Sequence, residues 1–170
     1  MDRKGAITFK GNAMTLVGVE LKPGSKAPEF GVVDAALKEV TLKDFSGKVK
    51  VISVTPSLDT PVCDAQARRF NEEAKAFPES VAVINMSMDL PFAQKRFCSS
   101  AGIDRVTTLS DHREASFGKA YGVLIREFRL LARAVFIIDK DDIVRYAEVV
   151  KEATDHPDYA RAVSEVKKLL

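Results

Sequence analysis

The chain has 170 residues, 46% of them hydrophobic and 29% charged, and its 26 Lys and Arg residues nearly balance 24 Asp and Glu residues. The net charge of +2 does not favour a protein that binds nucleic acid or a membrane by electrostatic attraction. Two cysteines and two histidines are too few for a disulfide scaffold or a closed zinc or iron–sulfur site, so we expect no metal and no cofactor.

The N-terminus gives the first indication of the compartment. Its first ten residues contain no apolar stretch of signal-peptide length, and no uncharged run of about 18 residues occurs anywhere in the chain. We therefore expect a cytoplasmic protein. Thiols in that compartment stay reduced unless they react, so each cysteine is either a core residue or part of the chemistry.

A hairpin and a βαβ unit are the first predicted elements. Apolar and polar residues alternate in Ile7–Lys10 and Met14–Val17 around the turn dipeptide Gly11–Asn12, which predicts an N-terminal hairpin. After a connection rich in Pro and Gly, β-branched runs at 49–54 and 81–86 flank a segment with helical periodicity. This spacing indicates two parallel, buried strands joined by a helix.

The second half of the chain continues the alternation of helices and strands. The pattern first predicts a helix over Pro91–Ala101 closed by Gly102 and a strand over Val106–Leu109. A capping box at Asp111–Glu114 then opens a helix that ends at Gly122, and a hairpin of Ala134–Ile138 and Ile143–Val150 follows. The last predicted helix has Pro157 in its first turn and Ala160, Val163, Val166 and Leu170 at helical spacing. One three-layer α/β domain accounts for this order.

The segment from Pro56 to Cys63 lies between the first buried strand and the helix that follows, where open α/β sheets place their sites. Thr60 suits the N-cap and Pro61 the first helical position, which puts Cys63 in the first turn. Free amides and the helix dipole favour an anion there, so Cys63 is a candidate thiolate.

The helix terminus alone does not supply enough stabilisation for a thiolate. An ordinary cysteine has a pKa of about 8.5, and keeping one mostly ionised at neutral pH requires about 2 kcal/mol. An exposed helix terminus contributes about 0.3 to 1 kcal/mol, and the neighbouring Asp64 opposes it. A nearby cation is therefore required.

The alternative for each cysteine is an inert core residue. Cys63 shares its helical spacing with Ala67, Phe70 and Ala74, which indicates a face that packs inward. Cys98 lies near the C-terminal end of its helix, where the dipole disfavours an anion, so Cys63 is the better nucleophile and Cys98 the better second thiol. The two are 35 positions apart, and no CxxC pair is present.

These residues also carry a resemblance to a known family. The pattern Pro56-x-x-x-Thr60-x-x-Cys63 is similar to the peroxidatic-cysteine signature of peroxiredoxins, and the longer run SLDTPVCD over 57–64 resembles their thiol peroxidase subfamily. The similarity covers nearly the whole chain and continues through RFN at 69–71, SMDLPFA at 87–93, RFC at 96–98, LSD at 109–111 and ARAVF at 132–136.

The resemblance implies a thioredoxin-like α/β fold of three layers with an N-terminal β-hairpin, formed as a single domain by residues 1–170. It implies a thiol-dependent hydroperoxide reductase whose Cys63 thiolate attacks hydrogen peroxide or an organic hydroperoxide and becomes a sulfenic acid. Cys98 of the same chain then forms a disulfide with Cys63, and thioredoxin reduces it. The competing hypothesis is a non-catalytic redox sensor or binding protein of the same fold.

Three further residues receive roles from the resemblance. Arg133 is the missing cation for Cys63 and hydrogen-bonds the peroxide, Thr60 orients thiolate and peroxide, and Pro56 shields the site from water. From the residues alone, Arg133 is equally a surface charge at a strand end, and Thr60 an N-cap and nothing more. Because a disulfide requires Cα atoms within about 7 Å, we also expect local unwinding around Cys63, Cys98 or both.

The remaining expectations concern the surface. His112 and His156 lack ligand spacing and are predicted to be surface or cap residues, while Phe92 and Phe97 are candidates to line an apolar approach for organic peroxides. The segment Val123–Leu131 is apolar for a connection, so we expect it to contribute to a homodimer interface, which the resemblance also favours.

Overall fold

A seven-stranded sheet forms the centre of the computed structural model, which describes residues 1–170. The strands are β1 (Asp2–Phe9), β2 (Asn12–Val17), β3 (Gly31–Val33), β4 (Glu39–Thr41), β5 (Val49–Val54), β6 (Val81–Ser87), β7 (Thr107–Ser110), β8 (Leu124–Ile125), β9 (Leu130–Leu131), β10 (Ala134–Ile138) and β11 (Val144–Val149). The helices are α1 (Pro61–Ala74), α2 (Pro91–Ala101), α3 (Ser116–Ala120) and α4 (Tyr159–Lys167), with one 3₁₀ turn at Leu42–Phe45. No helix is long and apolar enough to span a membrane.

The order of the central sheet is β11-β10-β5-β6-β7-β3-β4. The predicted βαβ unit is confirmed, because β5 and β6 are parallel with Val49 opposite Val81 and Val54 opposite Met86. Strand β10 pairs antiparallel with β5 on one side and with β11 on the other, so Ala134 lies opposite Val54. This register brings the start of β10 next to the end of β5, where α1 begins.

The two faces of the sheet carry different layers. Successive residues of β5 face opposite sides of the sheet, so Val51 belongs to one core and Ile52 to the other. On one side, α1, α4 and part of α2 cover the sheet through a core that includes Phe70 and Val166. On the other side lie α3 and a second, four-stranded sheet in the order β1-β2-β8-β9. The expected three-layer α/β fold with an N-terminal hairpin is thus confirmed.

Most predicted elements are confirmed, with shifted ends. The N-terminal turn consists of Lys10 and Gly11 rather than Gly11 and Asn12, because both adopt positive φ and Phe9 pairs with Asn12. Helix α2 ends as predicted at Gly102, whose φ of 68° closes it in the left-handed conformation. Four short strands, β3, β4, β8 and β9, were not predicted, because they are too brief for an alternating pattern.

The predicted capping box at Asp111–Glu114 is wrong. Helix α3 begins only at Ser116, after Ala115 with a φ of 51°. The carboxylate of Asp111 nevertheless serves the helix, because it accepts hydrogen bonds from the amides of Phe117 and Gly118 at 3.0 and 2.8 Å. The chain turns at Gly122, where a Cβ would lie 2.3 Å from the carbonyl oxygen of Val19, so only glycine fits.

The start and the buried face of the last helix also differ from the prediction. Its N-cap is Asp158, and Pro157 precedes the helix rather than lying within it. Ala162, Val163 and Val166 are the buried residues, whereas Leu170 is 58% exposed beyond the helix end. The predicted spacing was right for two of its four residues.

Candidate active site

Cys63 lies where the sequence predicts it, in the first turn of α1. Thr60 occupies the N-cap with an extended backbone, Pro61 follows, and the Cys63 side chain is completely buried. The first intrahelical hydrogen bond runs from the amide of Asp64 to the carbonyl oxygen of Thr60, at 2.9 Å. The amides of Val62 and Cys63 precede that bond, so the positive end of the helix dipole lies at the sulfur.

The hydroxyl of Thr60 points at the sulfur instead of capping the helix. Its Oγ1 lies 2.7 Å from Cys63 Sγ and 3.0 Å from the carbonyl oxygen of Ser57, and it bonds no helix amide. A hydroxyl has one hydrogen to donate. It can donate to Ser57 while the sulfur is a thiol, and it must turn to the sulfur when a thiolate needs a donor. Thr60 is therefore more than an N-cap.

Arg133 supplies the cation that the helix terminus lacks. Its side chain is 2% exposed, and its Nη2 lies 3.4 Å from Cys63 Sγ. The other nitrogens donate to the carbonyl oxygen of Ala153 and to Gln66 Oε1, both at 3.0 Å. At 3.4 Å the guanidinium is close enough to attract a negative charge on the sulfur.

No carboxylate competes with the sulfur for this charge. The ion pairs of the chain do not include Arg133. Asp64, whose charge opposes a thiolate at Cys63, is paired with Arg68 one turn further along α1. A buried guanidinium whose other partners are neutral oxygens favours an anion at its remaining nitrogen. The surroundings of Cys63 are thus arranged for a thiolate.

Gln66 holds Arg133 in place and was missed by the sequence analysis. It is completely buried on α1, three residues after Cys63, and its Nε2 donates to Ser53 Oγ at 2.8 Å. Its Oε1 is thereby fixed to accept from Arg133. The signal that could have found it is a polar residue on the inward face of α1, next to Ala67 and Phe70 in the apolar stripe.

A cavity of about 220 Å³ opens onto these groups. Pro56, Thr60 and Arg133 line it, together with Phe9, Lys10, Pro61, Val62, Ala153 and Thr154. Phe9 of the N-terminal hairpin therefore forms part of the apolar wall, with Val62 and Ala153. Phe92 and Phe97 do not line the cavity, since Phe92 is 68% exposed on α2 and Phe97 packs against the core beneath α1. Their predicted place in the approach is wrong.

Glu152 fastens the N-terminal hairpin over this cavity. Its carboxylate accepts hydrogen bonds from Thr8 Oγ1 and from the amides of Lys10 and Gly11, on the turn that contributes a wall. The hydrogen bond from Thr8 is the largest of several contacts, with Thr154 and both amides, that lower the pKa of Glu152 from 4.5 to about 2. The ionised form therefore stabilises the closed wall.

We expect Glu152→Gln to lower the melting temperature at pH 7, with a difference from the wild type that shrinks in acid. Because the folded pKa of Glu152 is depressed, its contribution to stability is complete above pH 4.5 and is lost as the pH falls towards 2. Melting curves of both proteins between pH 7 and pH 2.5 test this. Glu79→Gln is the control, an exposed glutamate without hydrogen-bond partners. A difference that stays constant with pH contradicts the assignment.

Cys98 lies in a separate environment. It is half-buried in the last turn of α2, its Sγ is 4.0 Å from Thr108 Oγ1, and both cysteines are free thiols. It lines a second cavity of about 440 Å³ together with Lys95 and Ile103. Burial raises the pKa of Cys98, and the hydrogen bond with Thr108 offsets part of that effect. The structure therefore holds Cys98 as a protonated thiol at neutral pH, apart from Cys63.

In the Cys63→Ser variant, the alkylation rate of Cys98 by iodoacetamide should still be rising with pH at pH 9. The thiolate is the reactive form, and the raised pKa places its formation above the ordinary value of about 8.5. Labelling followed by mass spectrometry from pH 6.5 to pH 10 measures the profile. A rate that levels off by pH 8 is incompatible with a buried thiol.

The residues of the two surface predictions differ in burial. His156 is exposed and bonds the Tyr159 hydroxyl at 2.8 Å, as expected for a surface residue, but His112 is half-buried. In the segment Val123–Leu131, four apolar side chains are buried within the chain itself: Val123, Leu124, Ile125 and Leu131. Phe128 remains 45% exposed, in edge contact with Phe9. The apolar character of this segment therefore serves mainly the chain's own core.

Comparisons with known proteins show which sequences and structures this chain resembles. The profile of the Redoxin family matches residues 22–163. The thiol peroxidase of Halalkalibacterium halodurans is 60% identical over 165 residues, covering 97% of this chain and 99% of the relative. That of Bacillus subtilis is 56% identical over 164 residues, 96% and 98% of the two chains. A peroxiredoxin-like protein from Aquifex aeolicus has a similar structure, with a TM-score of 0.91, 47% identity and 99% of each chain covered.

Proposed function

The chain belongs to the Redoxin family and, within it, to the thiol peroxidases, and from that premise we propose how its residues reduce a hydroperoxide. The protein is a peroxidase of the peroxiredoxin type that uses thiols as its source of electrons. The observation that carries the residue assignment is the convergence of Arg133 and Thr60, which both line a small cavity, on the buried sulfur of Cys63.

In the first step the Cys63 thiolate attacks one oxygen of the hydroperoxide. A sulfur–oxygen bond forms as the oxygen–oxygen bond breaks, the sulfur is oxidised to a sulfenic acid, and the leaving oxygen takes a proton to become water or an alcohol. Negative charge moves from sulfur to oxygen during this step. The Arg133 guanidinium and the Thr60 hydroxyl lie where they can stabilise that charge, and Pro56 is buried beside them and excludes water.

In the second step the Cys98 thiol loses its proton and its sulfur attacks the sulfenic sulfur of Cys63. A disulfide forms as the sulfur–oxygen bond of the sulfenic acid breaks, and the hydroxide leaves as water with the proton from Cys98. The two thiols belong to the first turn of α1 and the last turn of α2, and each has its own neighbours. We propose that one or both turns unwind locally so that the Cα atoms come within about 7 Å. Hydrogen exchange should then be faster in the oxidised protein over 57–66 or 94–102. Equal exchange in both redox states, with the disulfide formed, contradicts the unwinding.

A dithiol protein of the thioredoxin type closes the cycle by reducing the disulfide. Cys98 is the more accessible sulfur in the reduced structure, which suits it to be attacked from outside. The alternative of a non-catalytic redox sensor is not favoured, because relatives at 54 to 60% identity carry the name thiol peroxidase. A cycle of this kind suits the cytoplasm, where reduced dithiol proteins are maintained.

We further propose that residues 1–170 act as one domain and that the protein forms a homodimer. The exposed Phe128 lies against Phe9, which lines the cavity, so a partner placed there lies beside the site. Sedimentation at micromolar concentration should give the mass of a dimer. A monomer at that concentration contradicts this proposal and leaves the chemistry of Cys63 untouched.

The function is tested by hydroperoxide consumption in the presence of purified thioredoxin, its reductase and NADPH. We expect many equivalents of hydrogen peroxide or of a bulky organic hydroperoxide to be consumed per chain. Omission of thioredoxin should stop the reaction after about one equivalent per chain, since each chain then has one disulfide to form. Sustained consumption without any thiol reductant contradicts the proposal.

A further inference from the structure

A carboxylate outside the cavity fastens the loop that carries Pro56 and Thr60. Asp89 follows the end of β6, and its carboxylate accepts hydrogen bonds from Ser57 Oγ and from the amide of Leu58, each at 2.8 Å. Hydrogen bonds to an ionised acceptor are stronger than those between neutral groups. Asp89 has no role in the two chemical steps described above. It nevertheless binds this loop through one side chain, that of Ser57, and one backbone amide, that of Leu58.

The contact continues to the reactive sulfur. The carbonyl oxygen of Ser57 lies 3.0 Å from Thr60 Oγ1, which in turn lies 2.7 Å from Cys63 Sγ. Asp89 fixes Ser57 and its neighbour, and thereby fixes the acceptor that decides which way the Thr60 hydroxyl turns. A chain of contacts through the side chain and carbonyl of Ser57 and the hydroxyl of Thr60 therefore links Asp89 to the sulfur.

The same carboxylate is connected to the helix of Cys98. Ser87 Oγ donates to Asp89 at 2.8 Å and accepts from Gln94 Nε2 at 3.0 Å. Gln94 is completely buried on α2 and lies one turn before Cys98. Asp89 itself immediately precedes Leu90, the N-cap of α2. One hydrogen-bonded network thus joins the segments that carry the two cysteines.

We propose that Asp89 is a positioning residue that holds the Cys63 loop in the conformation that reacts with peroxide. Its hydrogen bonds with the loop break when the disulfide forms. The inference rests on the proposed function and adds to it a residue that governs the balance between the two chemical steps. Reaction with peroxide requires the ordered loop, whereas formation of the disulfide requires the loop or α2 to unwind. Loss of Asp89 therefore changes the two rates in opposite directions.

The test measures both rates in Asp89→Ala. Stopped-flow mixing with hydrogen peroxide in a Cys98→Ser background gives the rate constant of the first step, which should fall about 10- to 100-fold as two charge-assisted hydrogen bonds to the loop are lost. Thiol loss after one equivalent of peroxide in the chain with both cysteines gives the rate of disulfide formation, which should rise several-fold. At high peroxide, less Cys63 should become sulfinic acid.

Three further variants distinguish positioning from general damage. Asp89→Asn keeps an oxygen acceptor for the Leu58 amide and should restore the first rate to within a few-fold of the wild type. Ser57→Ala removes one of the two contacts and should change both rates in the same senses as Asp89→Ala, by less, which keeps the test valid if Asp89→Ala fails to fold. Asp59→Ala changes an exposed aspartate of the same loop, whose carboxylate accepts no hydrogen bonds, and should leave both rates unchanged.

The proposal is overturned if both rates fall together in Asp89→Ala and Ser57→Ala, or if Asp89→Ala behaves like Asp59→Ala. Failure of the proposed function gives a different result, because the wild-type chain itself then reacts no faster with hydrogen peroxide than Cys63→Ser does. The wild type and that variant are therefore measured first.

Discussion

Replacement of Cys63 by serine should abolish the reduction of hydroperoxides, whereas replacement of Cys98 should leave the first turnover intact. The sulfur of Cys63 is the atom that is oxidised, and a serine oxygen cannot take its place. Without Cys98 the sulfenic acid still forms, so each chain consumes about one equivalent of peroxide and then stops, because no partner resolves it. Peroxide loss with thioredoxin, its reductase and NADPH measures both results.

The two variants also separate the proposed cycle from its alternatives. Steady turnover by Cys98→Ser at the wild-type rate shows that an external thiol, rather than Cys98, resolves the sulfenic acid. Residual turnover by Cys63→Ser shows that Cys63 is a core residue after all. Because Cys63 is buried next to polar groups, thermal unfolding of both variants is the control for loss of fold.

Arg133→Met should slow the reaction of the reduced protein with hydrogen peroxide about 10²- to 10³-fold, the usual loss on removal of one charged or polar donor at a reacting group. Methionine fills much of the same volume without the charge, so the thiolate and the developing charge on oxygen both lose their stabilising partner. Arg133→Lys should recover only part of the rate, since one ammonium group cannot bond the sulfur, Gln66 and Ala153 in one plane.

Stopped-flow rates and the alkylation rate of Cys63 at pH 7 measure the effect of Arg133. Both should fall in Arg133→Met, because both depend on the thiolate. Arg126→Met is the matched control, an exposed arginine paired with Asp2 on the surface. If Arg133→Met alkylates and reacts as fast as the control, the guanidinium does not stabilise the reactive sulfur, and the helix terminus with Thr60 must suffice.

Local signals predicted the frame of the site correctly. The β-branched runs of β5 and β6 identified the parallel pair, and the order Thr60, Pro61, Cys63 placed a thiol in the first turn of α1. Such signals depend only on residues that are close together in the sequence, so they can be recognised without a structure. They also identified Gly102 as the end of α2, because a helix commonly closes with glycine in the left-handed conformation.

Contacts between distant segments were beyond such signals. Cys63 and Arg133 are 70 positions apart, a spacing that gives no sign of contact, and only the resemblance assigned the pair. The structure brings them together because β10 pairs with β5 at their adjoining ends. Asp89 was missed for the same reason, whereas Gln66 had a local signal, a polar residue on the inward face of α1. Asp111 was misjudged because the chain turns at Ala115 before α3, which puts the carboxylate on amides further along than a capping box allows.

The most direct test of the account is the chemical state of the two cysteines after one equivalent of hydroperoxide, determined by peptide mass spectrometry without reduction. We predict that the wild-type chain yields a peptide pair linked through Cys63 and Cys98, and that Cys98→Ser yields a sulfenic acid on Cys63 that a sulfenic-acid trap captures. Oxygen found instead on Cys98 or on methionine, or a chain whose two thiols remain free, contradicts the account.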